Sequence, residues 1–411
     1  MTHPSTSFIH DGVNYDPQTG STHPPIHQSA AFKHDSAKQL EDVFHGREFG
    51  HYYSRVSNPT IQALESRLTA IENGLGSCVV ASGMAAITAA IFALAKAGDN
   101  IIVGESLFGS THYLFTGLIN DSGIEVRFVD PTKPEQVQAH IDTKTRLCFV
   151  EGIGNPKLDI PNIKQLVEVT KKQSIPVVVD TTFTTPFLCK FKQLGAAVLV
   201  YATTKYIAGG GTTIGGAVVD TGEMDWKQSK SSTVTQNKRY GQLAFLAAVK
   251  KIRSNAGSCQ SPFNAYLTSL GLDTLALRMQ QHSNSALKLA AFFESYSNSI
   301  TVNYPGLNSH SQHRLAKEQF NTHFGGMLTI RVGSKKNAYR IIDKLKLVKN
   351  LVNLGDAKTL AVYPADTIYR HFSKAEKNAA GVYDDMIRIS VGLEHIDDII
   401  ADFKQALEEV K

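Results

Sequence analysis

Between about residues 61 and 220 the sequence alternates helical patterns with short apolar runs rich in β-branched residues. The runs are Ser77 to Val80, Asn100 to Val103, Ile124 to Val129, Arg146 to Val150, Ile175 to Asp180, Ala196 to Tyr201 and Ile214 to Val219. A strand that is apolar on both sides needs cover on both sides, and stretches such as Ile163 to Lys172 have the periodicity of covering helices. The economical fold is α/β, with a mostly parallel central sheet and helices on both faces. Ligands of such sheets gather at the carboxyl ends of the strands, so the chemistry is expected there.

Outside this block the text changes. Residues 1–60 read as an irregular arm rich in Pro, His, Ser and Thr that cannot build a core alone. Residues 222–258 are polar and less regular, and Ser261-Pro262 then opens a long helical pattern that runs to about Glu294. Strand-like text at Gly326 to Val332 and Met386 to Val391 mixes with helical text such as Lys336 to Leu345. The predicted organisation is an arm (1–60), a large domain (61–258) and a smaller α+β C-terminal domain (259–411).

Composition narrows the classes of function. The net charge is only +5 and its Lys and Arg residues are scattered, so the basic footprint of a nucleic-acid binder is missing and no nucleic-acid partner is expected. The longest apolar run, Ala85 to Ala95, is far shorter than a bilayer span, and the polar stretch Met1 to Gly12 lacks a signal segment. A cytoplasmic protein without membrane contact is the expectation. Cys78, Cys148, Cys189 and Cys259 lie far apart without metal-type spacing and read as reduced core residues. His310 and His313 are the closest histidine pair that invites a metal reading, but no third ligand has suitable spacing, and no metal is expected.

Three local features carry chemistry. Ser82-Gly83-Met84-Ala85 follows a strand and opens an Ala-rich helix, where free N–H groups and the positive end of the dipole suit a phosphate. Alone, Ser82 is an ordinary N-cap. Asp180 ends the run Ile175-Pro-Val-Val-Val-Asp180, at the binding edge of the sheet, where a lone aspartate could equally serve a turn. Lys205 follows the next strand, in Tyr201-Ala-Thr-Thr-Lys205-Tyr206, although a lone lysine is usually solvated surface. Together they supply what pyridoxal phosphate needs: a carboxylate for the ring nitrogen, an amine for the Schiff base and a cup for the phosphate.

With these residues in view, the chain resembles the Cys/Met-metabolism pyridoxal-phosphate (PLP) enzymes, which have the aspartate-aminotransferase-like, type I fold. The matching text is Tyr53-Ser-Arg55-Val-Ser-Asn58, Ala81-Ser-Gly-Met-Ala85, Asp180-Thr-Thr-Phe-Thr-Thr-Pro186, Thr204-Lys205-Tyr206 and Arg388-Ile-Ser-Val-Gly392, in the family's order over nearly the whole chain. Ile153-Gly-Asn-Pro156, Gly211 to Gly216, Ser261-Pro-Phe263, Leu270-Gly271 and Asn353 to Lys358 resemble the O-acetylhomoserine sulfhydrylase branch in particular.

The resemblance implies roles. Lys205 is the Schiff-base lysine and Asp180 the pyridinium partner. Ser82, Gly83, Met84 and Thr204 contact phosphate, and Phe108 stacks on the ring. Tyr53 and Arg55 reach the neighbouring subunit's phosphate, which makes the molecule a homodimer with shared sites, or a tetramer built from such dimers. Asn155 lies beside the cofactor, Asn353 belongs to the substrate pocket, and Arg388 clamps the substrate's α-carboxylate. Without the resemblance, Arg388 reads as a surface residue on an edge strand.

Several positions depart from the family pattern. Phe108 stands in place of a frequent tyrosine, Thr181 of an asparagine, Ala202 of a serine, Gly210 and Tyr363 of histidines, and Asp366 of a small neutral residue. The expected reaction is γ-replacement on O-acetyl-L-homoserine by sulfide or a small thiol, with sulfide free or brought by a carrier protein, giving homocysteine or methionine. Alternatives are γ-elimination from methionine or cystathionine, an O-succinylhomoserine donor as in an O-succinylhomoserine sulfhydrylase or a cystathionine γ-synthase, or a non-catalytic binding protein on an inherited fold.

Overall fold

A computed structural model describes residues 3–13 and 15–408. Its larger sheet has seven strands: β1 (Gly76–Val80), β2 (Asn100–Gly104), β3 (Glu125–Val129), β4 (Thr145–Glu151), β5 (Val177–Asp180), β6 (Val198–Tyr201) and β7 (Gly216–Asp220). Their order is β1-β7-β6-β5-β4-β2-β3, and β7 alone runs antiparallel to its neighbours. The expected α/β class and mostly parallel sheet are both present. Alternate strand residues feed two cores: Val79, Ile102, Val150 and Val179 pack on one face, and Val80, Val103, Phe149 and Val178 on the other. Both faces are dry, which is why the runs read as continuously apolar.

The ladders of β5, β6 and β7 each start two residues further along the chain than the apolar text suggested, and for β5 and β7 the reason is local. Pro176 has no N–H to give, so the ladder of β5 begins at Val177. Gly215 spends its N–H and carbonyl on the Thr204 hydroxyl, so β7 begins at Gly216.

The smaller sheet contains β8 (Thr301–Asn303), β9 (Met327–Arg331), β10 (Lys349–Asn350), β11 (Leu360–Val362) and β12 (Met386–Ser390), in the order β10-β11-β12-β9-β8. Only the β10–β11 pair is parallel. The helical text after Ser261 forms two helices, Pro262–Asp273 and Leu275–Tyr296, because Thr274 leaves helical geometry and its hydroxyl accepts the Arg278 side chain instead.

The first sixty residues are not uniformly arm-like. Helix Pro4–His10 buries Phe8 completely, and Arg67 donates to the Phe8 carbonyl at 2.6 Å, which pins this helix to the body of its own chain. The segment that follows has one further helix, Ala37–Phe44, and leaves Phe44, Phe49 and Tyr53 exposed. No helix among the described residues is long and apolar enough to cross a membrane.

Candidate active site

Strand ends and the turns after them build a cavity of about 300 Å³ between the two sheets. Ser82, Gly83, Met84, Phe108, Asn155, Asp180, Thr204, Lys205, Asn353 and Arg388 all line it. Tyr53 and Arg55 do not: both are exposed, with the Arg55 guanidinium 5.2 Å from the Tyr53 ring centre and donating to the Ser254 carbonyl at 2.7 Å.

At one end, helix Gly83–Leu94 points its N-terminus into the cavity. Ser82 caps it by accepting the Ala85 N–H at 3.1 Å, which leaves the N–H groups of Gly83 and Met84 without intrahelical acceptors. A Cβ at position 83 would lie 2.6 Å from that of Ala202, so glycine is what allows this helix to press against the loop after β6. Thr204 sits in the same loop, its hydroxyl held by both backbone groups of Gly215.

Asp180 ends β5 and accepts the Thr182 N–H at 2.9 Å. Burial pushes its carboxyl up to about 6, although the Thr182 hydrogen bonds pull the other way. The Thr182 hydroxyl accepts the Ala202 N–H at 2.8 Å and so ties the end of β5 to the turn that carries Lys205. The Lys205 amine donates to Asn353 Oδ1 at 2.7 Å. Burial, then the nearby Arg388 cation, brings this amine down to about 8.

Arg388 is buried on β12, not exposed on an edge. It donates to Asn155 Oδ1 and to the Asn353 carbonyl, both at 3.2 Å, and pairs with no carboxylate among the described residues. Asn353 therefore touches both the amine and the guanidinium. The Asn155 carbonyl is held by the Tyr369 hydroxyl at 2.7 Å. A buried cation served only by neutral acceptors is arranged to take an incoming carboxylate.

Reading the sequence missed Glu151, which lines the same cavity and accepts the Phe108 N–H at 2.7 Å. It directly follows the apolar run Arg146 to Val150, so the strand-end logic that singled out Asp180 applied to it as well. Thr182, Ile153 and Val352 also line the cavity, and no role had been assigned to them.

The departures from the expected pattern fall mostly outside the cavity. Thr181 is buried against the Thr184 hydroxyl at 2.7 Å, Tyr363 donates to the Asp384 carbonyl, and Gly210 is exposed. Asp366 is paired with Lys335 and Lys377. Phe108 and Ala202 are the two that face the site. His313 Nδ1 contacts the Pro305 carbonyl, His310 Nδ1 accepts the Gln312 N–H, and no group of three or more His, Cys, Asp or Glu that could hold a metal occurs among the described residues. Cys78, Cys148 and Cys189 are buried, Cys259 is partly so, and all four are free thiols.

The sequence model of the Cys/Met metabolism PLP-dependent enzymes matches residues 5–408. The chain belongs to this family. As a PLP-dependent enzyme it is 39% identical to homocysteine/cysteine synthase of Saccharomyces cerevisiae, over 94% of this chain and 93% of that one. It is 37% identical to O-acetyl-L-homoserine sulfhydrylase 1 of Thermus thermophilus, over 98% and 99%. Among solved structures, an O-acetylhomoserine (thiol)-lyase from Campylobacter jejuni, crystallised with N'-pyridoxyl-lysine-5'-monophosphate, superposes with a TM-score of 0.91 at 34% identity over 99% and 100% of the two chains.

The residues in the cavity fit the family's cofactor. It needs an anion for a ring nitrogen, and Asp180 is a half-buried carboxyl with no cationic partner among the described residues. It needs an amine, and Lys205 offers one kept partly deprotonated by burial. It needs phosphate donors, and the glycine-lined helix start supplies two free N–H groups at a positive dipole end.

Proposed function

We propose that the chain catalyses PLP-dependent γ-replacement on O-acetyl-L-homoserine, exchanging acetate for sulfide or a small thiol to give homocysteine or methionine. One observation carries most of this reading. In a single cavity, a lysine amine and a guanidinium without a carboxylate partner among the described residues share Asn353, while a half-buried carboxyl lies nearby at the end of β5. An amino-acid substrate needs this set, and the relatives named above supply the reaction.

In this reading Lys205 would carry the cofactor, Asp180 would face its ring nitrogen, and Ser82, Gly83, Met84 and Thr204 would receive its phosphate. Bound there, PLP supplies an electron sink for carbanion chemistry. Arg388 takes the substrate α-carboxylate through paired N–H donors, with Asn155 and Asn353 holding the guanidinium in plane. Lys205, freed by the incoming amine, removes the proton at Cα and then one at Cβ. Its lowered pKa suits it to this work near neutrality. Acetate departs from Cγ, the thiolate adds there, and Lys205 returns the protons. Phe108 closes the wall without offering a proton, which suits a carboxylate leaving group that needs none.

Tyr53 and Arg55 are assigned to the site of a second copy of the chain. Both are exposed and neither lines the cavity of its own chain, which supports this, and the active molecule is then a homodimer or a larger assembly. The functional test is to incubate holoenzyme with O-acetyl- or O-succinylhomoserine, with and without sulfide, and identify products by mass. Homocysteine formed from the acetyl ester only when sulfide is present is the expected result. Sulfide-independent formation of a keto acid and ammonia would overturn the replacement reading.

A further inference from the structure

Glu151 ends β4 as Asp180 ends β5. The two strands are parallel and in register at these residues, so two carboxyls sit side by side on neighbouring strand ends and both line the cavity. The cation best placed to neutralise Glu151 does not pair with it. Arg388 turns to Asn155 and Asn353, and the Lys205 amine turns to Asn353. Asp159, the other nearby acid, is already occupied by Ser106 at 2.6 Å and Lys157 at 3.4 Å. The Tyr369 hydroxyl is committed to the Asn155 carbonyl. Glu151 is left with the Phe108 N–H, a neutral donor, at 2.7 Å.

Two adjacent carboxyls, Glu151 buried and Asp180 half-buried, that no cation among the described residues pairs are too costly to ionise together. A cationic ring nitrogen at Asp180 would decide which of the pair gives up its proton. An ionised Glu151 would also compete with substrate for Arg388. We infer that Glu151 serves the site as an uncharged carboxylic acid: it positions the Phe108 wall through that residue's N–H, leaves Asp180 as the anion facing the cofactor and leaves Arg388 free for the substrate carboxylate. The inference rests on the roles proposed above for Asp180 and Arg388. Burial first, and the neighbouring Asp180 second, hold the Glu151 carboxyl well above the usual range, in agreement with the geometry. Glu151 is thus a positioning residue, acting through Phe108, Asp180 and Arg388.

The test combines spectroscopy with two variants. Infrared difference spectra of holoenzyme near neutral pH, with and without isotope-labelled glutamate, should show a protonated-carboxyl band that shifts with the label and is missing from Glu151→Gln. Glu151→Ala loses the acceptor for the Phe108 N–H, and its KM for the donor and its loss of cofactor on dialysis should each rise about tenfold, the equivalent of one buried hydrogen bond. Glu151→Gln keeps a neutral acceptor and should restore both, with the pH midpoint of the cofactor's visible absorbance returned to that of the wild type. Absence of the labelled band overturns the inference. So does a Gln variant that fails to rescue, or that moves the absorbance midpoint by about one pH unit, since the charge would then be in use. An Ala variant indistinguishable from wild type removes the positioning role, and if that variant does not fold, the band and the Gln variant decide. The spectra do not depend on the donor ester, so a protein that shows the band but turns over no acylated homoserine would overturn the proposed reaction and leave this inference standing.

Discussion

Asp180→Asn should stabilise the cofactor-free protein while weakening its hold on PLP. The substitution removes a charge but keeps an oxygen to accept the Thr182 N–H. Burial raises the Asp180 carboxyl from 3.8 to about 6. A shift of roughly two units corresponds to about 3 kcal/mol, and because Asp180 is half-buried on a wet cavity we discount this to about 1–2 kcal/mol. The sign follows from the direction of the shift. A carboxyl raised in the folded state costs nothing below its unfolded pKa, and the cost grows as pH rises through the folded value and is then constant. Denaturant unfolding of the stripped protein should therefore show Asp180→Asn more stable than wild type above about pH 6, with the difference gone by about pH 4. With PLP present the order should reverse, because the wild type gains an ion pair that the amide cannot make. A stripped variant less stable than wild type at neutral pH, or a difference that does not change with pH, would refute the reasoning.

Arg55→Ala and Lys205→Ala, each inactive alone, should recover activity when mixed and reassembled, because a hybrid dimer would contain one intact site; no recovery after verified subunit exchange would show that the arm serves its own chain. Phe108→Tyr should raise the ratio of kcat/KM for cystathionine to that for O-acetylhomoserine, by about a hundredfold if the new hydroxyl protonates the departing thiolate, since general acid help is worth that much to a basic leaving group and little to acetate. Steady-state kinetics on both substrates checks this, and an unchanged ratio would mean that position 108 only packs.

Much of the cavity was legible because its parts are local in sequence. A strand end followed by a capped helix fixes where Ser82 to Met84 point, and the same rule places Asp180 and Lys205 at the binding edge. Glu151 obeyed that rule too and was passed over, because an acid after a strand reads as a turn residue until its neighbour in the sheet is known. Arg388 shows the opposite case. Its own stretch looks like a surface strand, and only the resemblance to a family gave it a task.

By itself, then, the sequence determined the alternation of strands and helices, the strand ends where ligands gather and the family to which the chain belongs, since each is carried by residues close together along the chain. Tertiary structure alone decided which of those ends share a cavity, and it buried Arg388 beside Asn155 and Asn353, residues 233 and 35 positions away. It also set Glu151 in register with Asp180. The physical reason is that desolvation and pairing depend on what surrounds a charge in space. No local pattern reports that a guanidinium lacks a carboxylate or that two carboxyls share one cavity wall.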